Sequence, residues 1–366
     1  MSTLFTPLSI GRMELSNRIT VAPMCQYSAT HGTMTDWHLM HVGTLALSGA
    51  AMLVIEATAV SAQARIGRGC AGLYSDKTES AMKRVVDFVR GISPIRIGVQ
   101  LAHAGRKAST QRPWEGRGSL KPEEGAWKTV APSAIPLAPG WHVPTALDRA
   151  GMNVVRDAFV ASAQRAARIG VDFIEVHSTH GYLLSEFLSP LSNQRSDEYG
   201  GSLANRMRFP LEVFQALRTA WPHEKPIGAK ISGTDFANGG WTPDEAVLYA
   251  RELKSLGCDY VTVSGGGVVL DAKVPAVPGY QVPYAERVRR ETGIMTGAVG
   301  LISNPQQAEE IVVNGKADFI SLGRAMLFDP HWPWRAAVLL DGEMKYPPQY
   351  AWCHPNAWPP ARALAD

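Results

Sequence analysis

Two imidazoles and a phenol lie within six residues of one another in the stretch Val171-Asp-Phe-Ile-Glu-Val-His177-Ser-Thr-His180-Gly-Tyr182. The run 173–176 leading into them is β-branched and aromatic, the composition of a buried parallel strand. His177 then falls at the strand's carboxyl end. Gly181 gives the following turn the freedom to aim His177, His180 and Tyr182 at one point. Two ring N–H donors and a weak acid so gathered can polarise an oxygen and deliver a proton. Two other readings use the same residues. Histidines three apart can ligate zinc, although the sequence has no His-Glu-x-x-His pattern and no nearby cysteine pair. The rings can also simply satisfy strand-end carbonyls.

The elements that must position these groups follow from the alternation of apolar runs with amphipathic ones. Strands are predicted over 19–22, 52–56, 95–101, 173–176, 227–231, 260–264, 294–298 and 319–322, and helices over 37–47, 80–90, 153–169, 205–220, 244–256, 284–291, 305–313 and 332–340. Eight strand–helix units in this order predict a (β/α)8 TIM barrel, an α/β fold in which right-handed crossovers close a parallel sheet. A doubly wound open sheet would need a crevice motif, and the sequence has none. Met152, Val155, Phe159, Ala163 and Ala166 recur at helical steps and form a stripe for the barrel wall. Thr242-Pro243-Asp-Glu supplies a hydroxyl cap, a first-turn proline and first-turn acids.

Residues 1–366 read as a single domain. Within it, 104–151 is a Pro-, Gly- and Trp-rich lid or insertion after strand three, long enough to be functional. Its segment from Trp127 to Ser133 is expected to supply a short hairpin. The tail, 341–366, is too rich in proline for a regular helix and is expected at a subunit interface.

The net charge is only +3 with scattered Lys and Arg, so there is no basic stripe for a nucleic-acid backbone. No secretion-type leader and no stretch long and apolar enough to span a membrane is evident, and a cytoplasmic protein with no membrane partner is expected. Cys25, Cys70, Cys258 and Cys353 are spread without CxxC spacing, so free thiols are expected.

In such a barrel the residues just after each strand line the active site. They are Pro23, Met24, Cys25 and Tyr27 after strand one, Ala57 and Thr58 after strand two, Gln100 and His103 at strand three, and Lys230 at strand five. Glycines after strands seven and eight, Gly300 and Gly323, can let backbone N–H groups approach a phosphate, with Arg324 as a planar cation; a turn glycine and a surface arginine are the equal alternative. A lysine at the end of a buried strand wants an anionic partner.

Six motifs in order, Ala22-Pro-Met-Cys-Gln-Tyr27, Glu56-Ala-Thr, Gln100-Leu-Ala-His-Ala-Gly-Arg-Lys107, His177-x-x-His180-Gly-Tyr182, Asp197-Glu-Tyr-Gly-Gly-Ser-Leu-Ala-Asn-Arg206 and Pro278-Gly-Tyr-Gln, resemble the old yellow enzyme family. The Cys25 and Arg-Lys versions are similar to its YqjM-like, or thermophilic-like, branch of NADPH dehydrogenases, which includes xenobiotic reductases. The resemblance runs from Leu4 to Trp352 and displaces the zinc and structural readings, so no metal site is expected.

The resemblance implies noncovalent FMN, reduced by NADPH or NADH, and an ene-reductase acting on electron-poor C=C bonds of enones, enals, maleimides or nitroalkenes. It implies FMN contacts from Pro23, Met24, Cys25, Ala57, Gln100, Lys230, Ala298, Val299, Gly300, Gly323 and Arg324. It makes His177 and His180 the holders of the substrate oxygen, Tyr182 the proton donor, and Tyr27 an assistant on the substrate side. It implies a Cys25 that tunes the flavin in preference to acting as a nucleophile, the alternative being a packed small thiol. Nicotinamide and substrate use one site in turn, which fits the lack of a GxGxxG fingerprint. The resemblance also implies a homodimer or dimer of dimers in which Trp352 closes a neighbour's pocket. The sequence departs from the branch in having Lys230 where arginine is usual, and Ala351-Trp352 where some relatives place an arginine that reaches the adjoining subunit. Two other functions remain open at this point. One is a metal-dependent TIM-barrel hydrolase using His177, His180 and His103, and the other is a flavin-binding barrel without ene-reductase turnover.

Overall fold

A computed structural model describes residues 2–363, so the last three residues of the 341–366 tail lie outside the described residues. The strands β1 (Ile19–Val21), β2 (Met52–Ala59), β3 (Arg96–Ala102), β4 (Phe173–Ser178), β5 (Ile227–Ser232), β6 (Tyr260–Ser264), β7 (Met295–Ala298) and β8 (Phe319–Leu322) close into one barrel in chain order. Every neighbouring pair is parallel, giving the (β/α)8 architecture expected from the sequence. Strands β2, β4, β5, β6 and β8 are buried at every residue, one face in the barrel and the other under helices. They therefore read in sequence as unbroken apolar runs and not as alternation.

Closure of one end decides where the site can be. Phe173, Tyr260 and Phe319 begin β4, β6 and β8, and they cluster at the amino-terminal end with Ile10, Met13 and Leu15. The last three belong to an antiparallel hairpin of Leu8–Ile10 with Met13–Leu15. Each aromatic ring lies against a glycine of the strand before it. A Cβ on Gly98, Gly228 or Gly297 would sit 2.4, 2.2 or 2.4 Å from the ring of Phe173, Tyr260 or Phe319. Alternate strands thus supply the layer, and only glycine leaves it room. The floor is packed, and the carboxyl ends of the strands remain for chemistry.

The eight main helices lie near the predicted positions, with ends set by caps. The third starts at Arg149 and not at 153, because Asp148 accepts from the Gly151 N–H at 2.7 Å, and it stops where Gly170 turns left-handed at φ 86°. Two short helices, Leu183–Leu188 and Arg324–Phe328, are additions to the predicted set, each too short to show a hydrophobic period.

The insertion after β3 holds 3-10 turns at Gly105–Lys107 and Pro122–Glu124 and two short strands, Val130–Ala131 and Thr145–Ala146. Those strands pair in parallel, so the expected hairpin is not formed there; its partner returns from beyond a 13-residue excursion. The tail is irregular, with 3-10 turns at Pro348–Cys353 and Pro359–Ala361. It folds back on Trp334, whose ring stacks with His331 at 4.0 Å and meets Tyr346 at 4.5 Å. Among the described residues no helix is long and apolar enough to cross a membrane.

Candidate active site

His177 is the last residue but one of β4, directly across from Lys230 on β5 in the strand register. The chain then turns sharply, with His180 at φ 62° and Gly181 at φ 69°. A Cβ at Gly181 would fall 2.1 Å from the Gly267 carbonyl oxygen, so this turn packs backbone against backbone on the loop after β6. The result is the convergence expected from the sequence. The His177 ring centroid lies 5.3 Å from that of His180 and 4.9 Å from that of Tyr182, both edge to face.

The two imidazoles are held differently. His180 meets the Ser264 hydroxyl through Nε2 at 2.7 Å, and Ser264 lies 3.4 Å from the Gln281 carboxamide oxygen. Ser264 has one hydroxyl proton: given to Nε2, it puts the proton of a neutral ring on Nδ1; given to Gln281, it makes Ser264 the acceptor of the Nε2–H and leaves Nδ1 an acceptor. His177 is buried, and its Nδ1 has no partner in the protein. A buried ring nitrogen without a partner is costly and calls for a bound molecule. Burial above all, then for His177 its neighbour His180, and for both rings the cations Lys230 and Lys107, hold the two histidines well below their ordinary pKa, so both are neutral at pH 7. Burial pushes the Tyr182 phenol well up, which keeps its proton in place until a stronger base takes it.

Beneath this group lies a polar floor across three strands. The Gln100 side-chain N–H donates to Glu175 Oε1 at 2.8 Å, and the Thr262 hydroxyl donates to Glu175 Oε2 at 3.2 Å. Lys230 is buried among them, its pKa lowered by burial and partly restored by Glu175 through space. No carboxylate among the described residues pairs directly with its ammonium. Glu175 was absent from the residues singled out in the sequence, although a carboxylate inside the apolar run Phe173-Ile-Glu-Val was the available signal.

Cys25 and Tyr27 follow β1. Burial, reinforced by Glu56, pushes the Cys25 thiol well up, so it is neither thiolate nor nucleophile. Glu56 owes its position to a bulge in β2, where the pairing with β3 shifts between Ile55 and Thr58. It accepts the Gln26 N–H at 3.1 Å and lies 3.4 Å from His38 Nε2. Tyr27 adopts a left-handed φ of 52° and meets Trp114 of the insertion edge-on at 6.0 Å. Trp114, 65% exposed, is a wall residue that sequence reasoning missed. At β7 and β8, Ala298 and Val299 are buried, Gly300 is left-handed at φ 117°, and Arg324 is exposed just after Gly323. A Cβ at Gly323 would meet Met24 Sδ at 3.6 Å and the Ala22 Cβ at 3.9 Å, so the start of this short helix packs in ordinary contact against the chain that follows β1.

Not every candidate joins this group. Trp352 is 83% exposed on the tail. His103 is buried with Nδ1 accepting the Gly105 N–H at 3.1 Å, and burial holds its pKa down at about 4. One ring nitrogen is therefore spent on the backbone. Among the described residues, no three His, Cys, Asp or Glu side chains gather as metal ligands do.

The donor set fits a flavin phosphate ester. It offers a buried cation at Lys230 for the ring, an exposed guanidinium at Arg324 for the phosphate, and, for a molecule bound above the ring, an orphaned buried nitrogen at His177.

Residues 3–342 match the family model described as the NADH:flavin oxidoreductase / NADH oxidase family. The chain is 41% identical over 349 residues to an NADPH dehydrogenase of Geobacillus sp. (strain WCH70), covering 95% of this chain and 97% of that one. A solved structure of morphinone reductase superposes with a TM-score of 0.77 at 28% identity, over 95% of this chain and 92% of that one. Morphinone reductase in complex with tetrahydroNAD gives 0.76 at 27% identity, over 94% and 93%.

Proposed function

Since the chain belongs to the NADH:flavin oxidoreductase / NADH oxidase family, the family of the old yellow enzymes, we propose that this FMN-dependent NADPH oxidoreductase is an ene-reductase for electron-poor C=C bonds. Enones, enals, maleimides and nitroalkenes are the substrate classes. The observation that carries the reading is the convergence of His177, His180 and Tyr182 on one point beside the Lys230 ammonium. When bound, FMN takes up two electrons from NADPH or NADH and passes them on as hydride.

The side chains do the rest. His177 and His180 donate to the carbonyl or nitro oxygen and stabilise the charge that develops there. Tyr182, kept protonated by burial, delivers its proton to the neighbouring carbon. Tyr27 and Trp114 border the substrate side. Pro23, Met24, Cys25, Ala57, Gln100, Ala298 and Val299 line the flavin, and Gly300, Gly323 and Arg324 hold its phosphate. Lys230 would supply the flavin ring with a point charge that favours its reduced, more negative form, without the planar fork of an arginine.

The test is anaerobic. The purified protein is titrated with NADPH or NADH while flavin absorbance is followed, then mixed with a panel of the four alkene classes. Reduction followed by reoxidation with loss of the C=C bond supports the reading. Stoichiometric zinc without flavin points to the hydrolase. Reduction that no alkene reverses leaves a flavin-binding barrel without this turnover. With the same material, Lys230→Met is expected to lower the flavin's reduction potential and slow its reduction, because the charge is removed and the stem kept. An unchanged potential in a spectroelectrochemical titration means the ammonium acts elsewhere.

Trp352 is assigned a role in trans. An indole 83% exposed on a proline-rich tail, near exposed Tyr350 and Trp358, is better buried against a second copy, in a homodimer or dimer of dimers. Trp352→Ala chains mixed with chains lacking His177 and His180 then form hybrids with one complete site and wild-type stereoselectivity. A mixture that behaves only as Trp352→Ala rules the arrangement out.

A further inference from the structure

We propose that Lys107 is a positioning residue for the proton transfer: its ammonium pins the His180 turn to the loop after β6 and lays a positive charge on the face of the Tyr182 ring, where it favours release of the phenolic proton. The inference rests on the reading of Tyr182 as proton donor.

Lys107 ends the 3-10 turn Gly105–Lys107 that follows β3, and its side chain reaches two other strand ends. Its Nζ donates to the His180 carbonyl at 2.7 Å and to the Gly267 carbonyl at 3.1 Å. Both acceptors belong to left-handed residues, His180 at φ 62° and Gly267 at φ 85°. The two segments are in backbone contact, since a Cβ on Gly267 would lie 2.7 Å from the His180 oxygen. Two carbonyl dipoles brought that close repel unless a donor lies between them, and an ammonium has three N–H bonds and no acceptor to misplace. The turn that aims His180 and Tyr182 is thus fixed by a cation from a different strand.

The same ammonium lies 4.9 Å from the Tyr182 ring centroid. As Tyr182 acts, its O–H bond breaks while a C–H bond forms on the substrate carbon, and the O–H electron pair stays on the phenolic oxygen. Negative charge spreads into the ring, and a cation on the ring's face stabilises it. The other ionisable groups around the phenol, Cys25, Tyr27 and Cys70, only raise its pKa. Around Lys107 stand Glu186, which favours its charged form, and Arg106, which opposes it, with His177 and His180 neutral. Desolvation brings Lys107 down to about 8, and burial brings Glu186 up to about 8. The ammonium is therefore charged at pH 7 and lost as pH rises through about 8.

The experiment is a double-mutant cycle on the oxidative half-reaction with an enone. Lys107→Met slows that step about tenfold when Tyr182 is present and less than about twofold in the Tyr182→Phe background. Equal slowing in both backgrounds overturns the proposal, because the lysine then acts only on the turn. Lys107→Arg supplies the second test if Lys107→Met does not hold flavin. With lysine the rate falls above about pH 8, whereas arginine stays charged there and abolishes that limb. A limb that survives in Lys107→Arg belongs to another group, Glu186 being the nearest, and overturns the proposal. Tyr182→Phe leaving the half-reaction unchanged removes the proton-donor reading itself, which is a different failure.

Discussion

Replacing both His177 and His180 by alanine slows enone reduction by on the order of 100-fold or more, because the loss of even one such preorganised donor typically costs that much. Both rings are neutral N–H donors at pH 7, so each brings a dipole and no net charge to the substrate oxygen. Their removal spares the other groups proposed to hold FMN, namely Lys230, Gln100 and the backbone at Gly300 and Gly323. It also removes a buried nitrogen with no partner in the protein, His177 Nδ1, and breaks one side-chain hydrogen bond, that between His180 Nε2 and Ser264. The measurements are flavin content by absorbance, binding of a substituted phenol, and turnover per flavin. A variant that loses FMN while its residual flavin-loaded fraction turns over at the wild-type rate would falsify the substrate-oxygen role.

Tyr182→Phe is expected to slow the oxidative half-reaction about 100-fold to 10,000-fold, the usual range for a positioned general acid. Flavin reduction by NADPH needs no proton from this phenol and should change little. Burial raises the Tyr182 pKa, so the phenol is fully protonated at neutral pH, and its own titration limits the rate only in strong alkali. Stopped-flow traces of the two half-reactions separate the cases. Equal slowing of both halves means that the ring packs the site and transfers no proton. Nitroalkenes are the internal control, since their nitronate can leave unprotonated and its formation should be nearly insensitive to the substitution.

The two substitutions also separate the alternatives. A metal-dependent hydrolase would lose its ligands in the histidine double variant, and its activity would not divide into reductive and oxidative halves. His103, the third ligand that such a site would need, spends Nδ1 on the Gly105 N–H.

Much of this protein is determined locally, and that part is legible in the sequence. The eight apolar runs become the eight barrel strands because strands buried on both faces must be apolar throughout. The carboxyl ends of those strands then share one face, so His177, His180, Tyr182, Gln100 and Lys230 could be named as neighbours without a coordinate. The capping signal at Thr242-Pro243 was equally legible, and a helix starts there, whereas Asp148 was passed over and the helix it caps was placed late.

Tertiary structure alone decided the partners. Gln100 with Glu175, His180 with Ser264, and Lys107 with Gly267 are 75, 84 and 160 residues apart. Each pairing depends on barrel closure and on strand register, which no local window contains. The bulge that aims Glu56 shows as a shift against β3 and leaves no mark in β2's own composition. The segment beginning at Trp127 has the composition of a hairpin, yet Val130–Ala131 pairs in parallel with Thr145–Ala146, because the intervening chain crosses over instead of turning back. Residue types therefore settled which chemistry is available, and the closed barrel settled which side chains meet and how deeply each is buried.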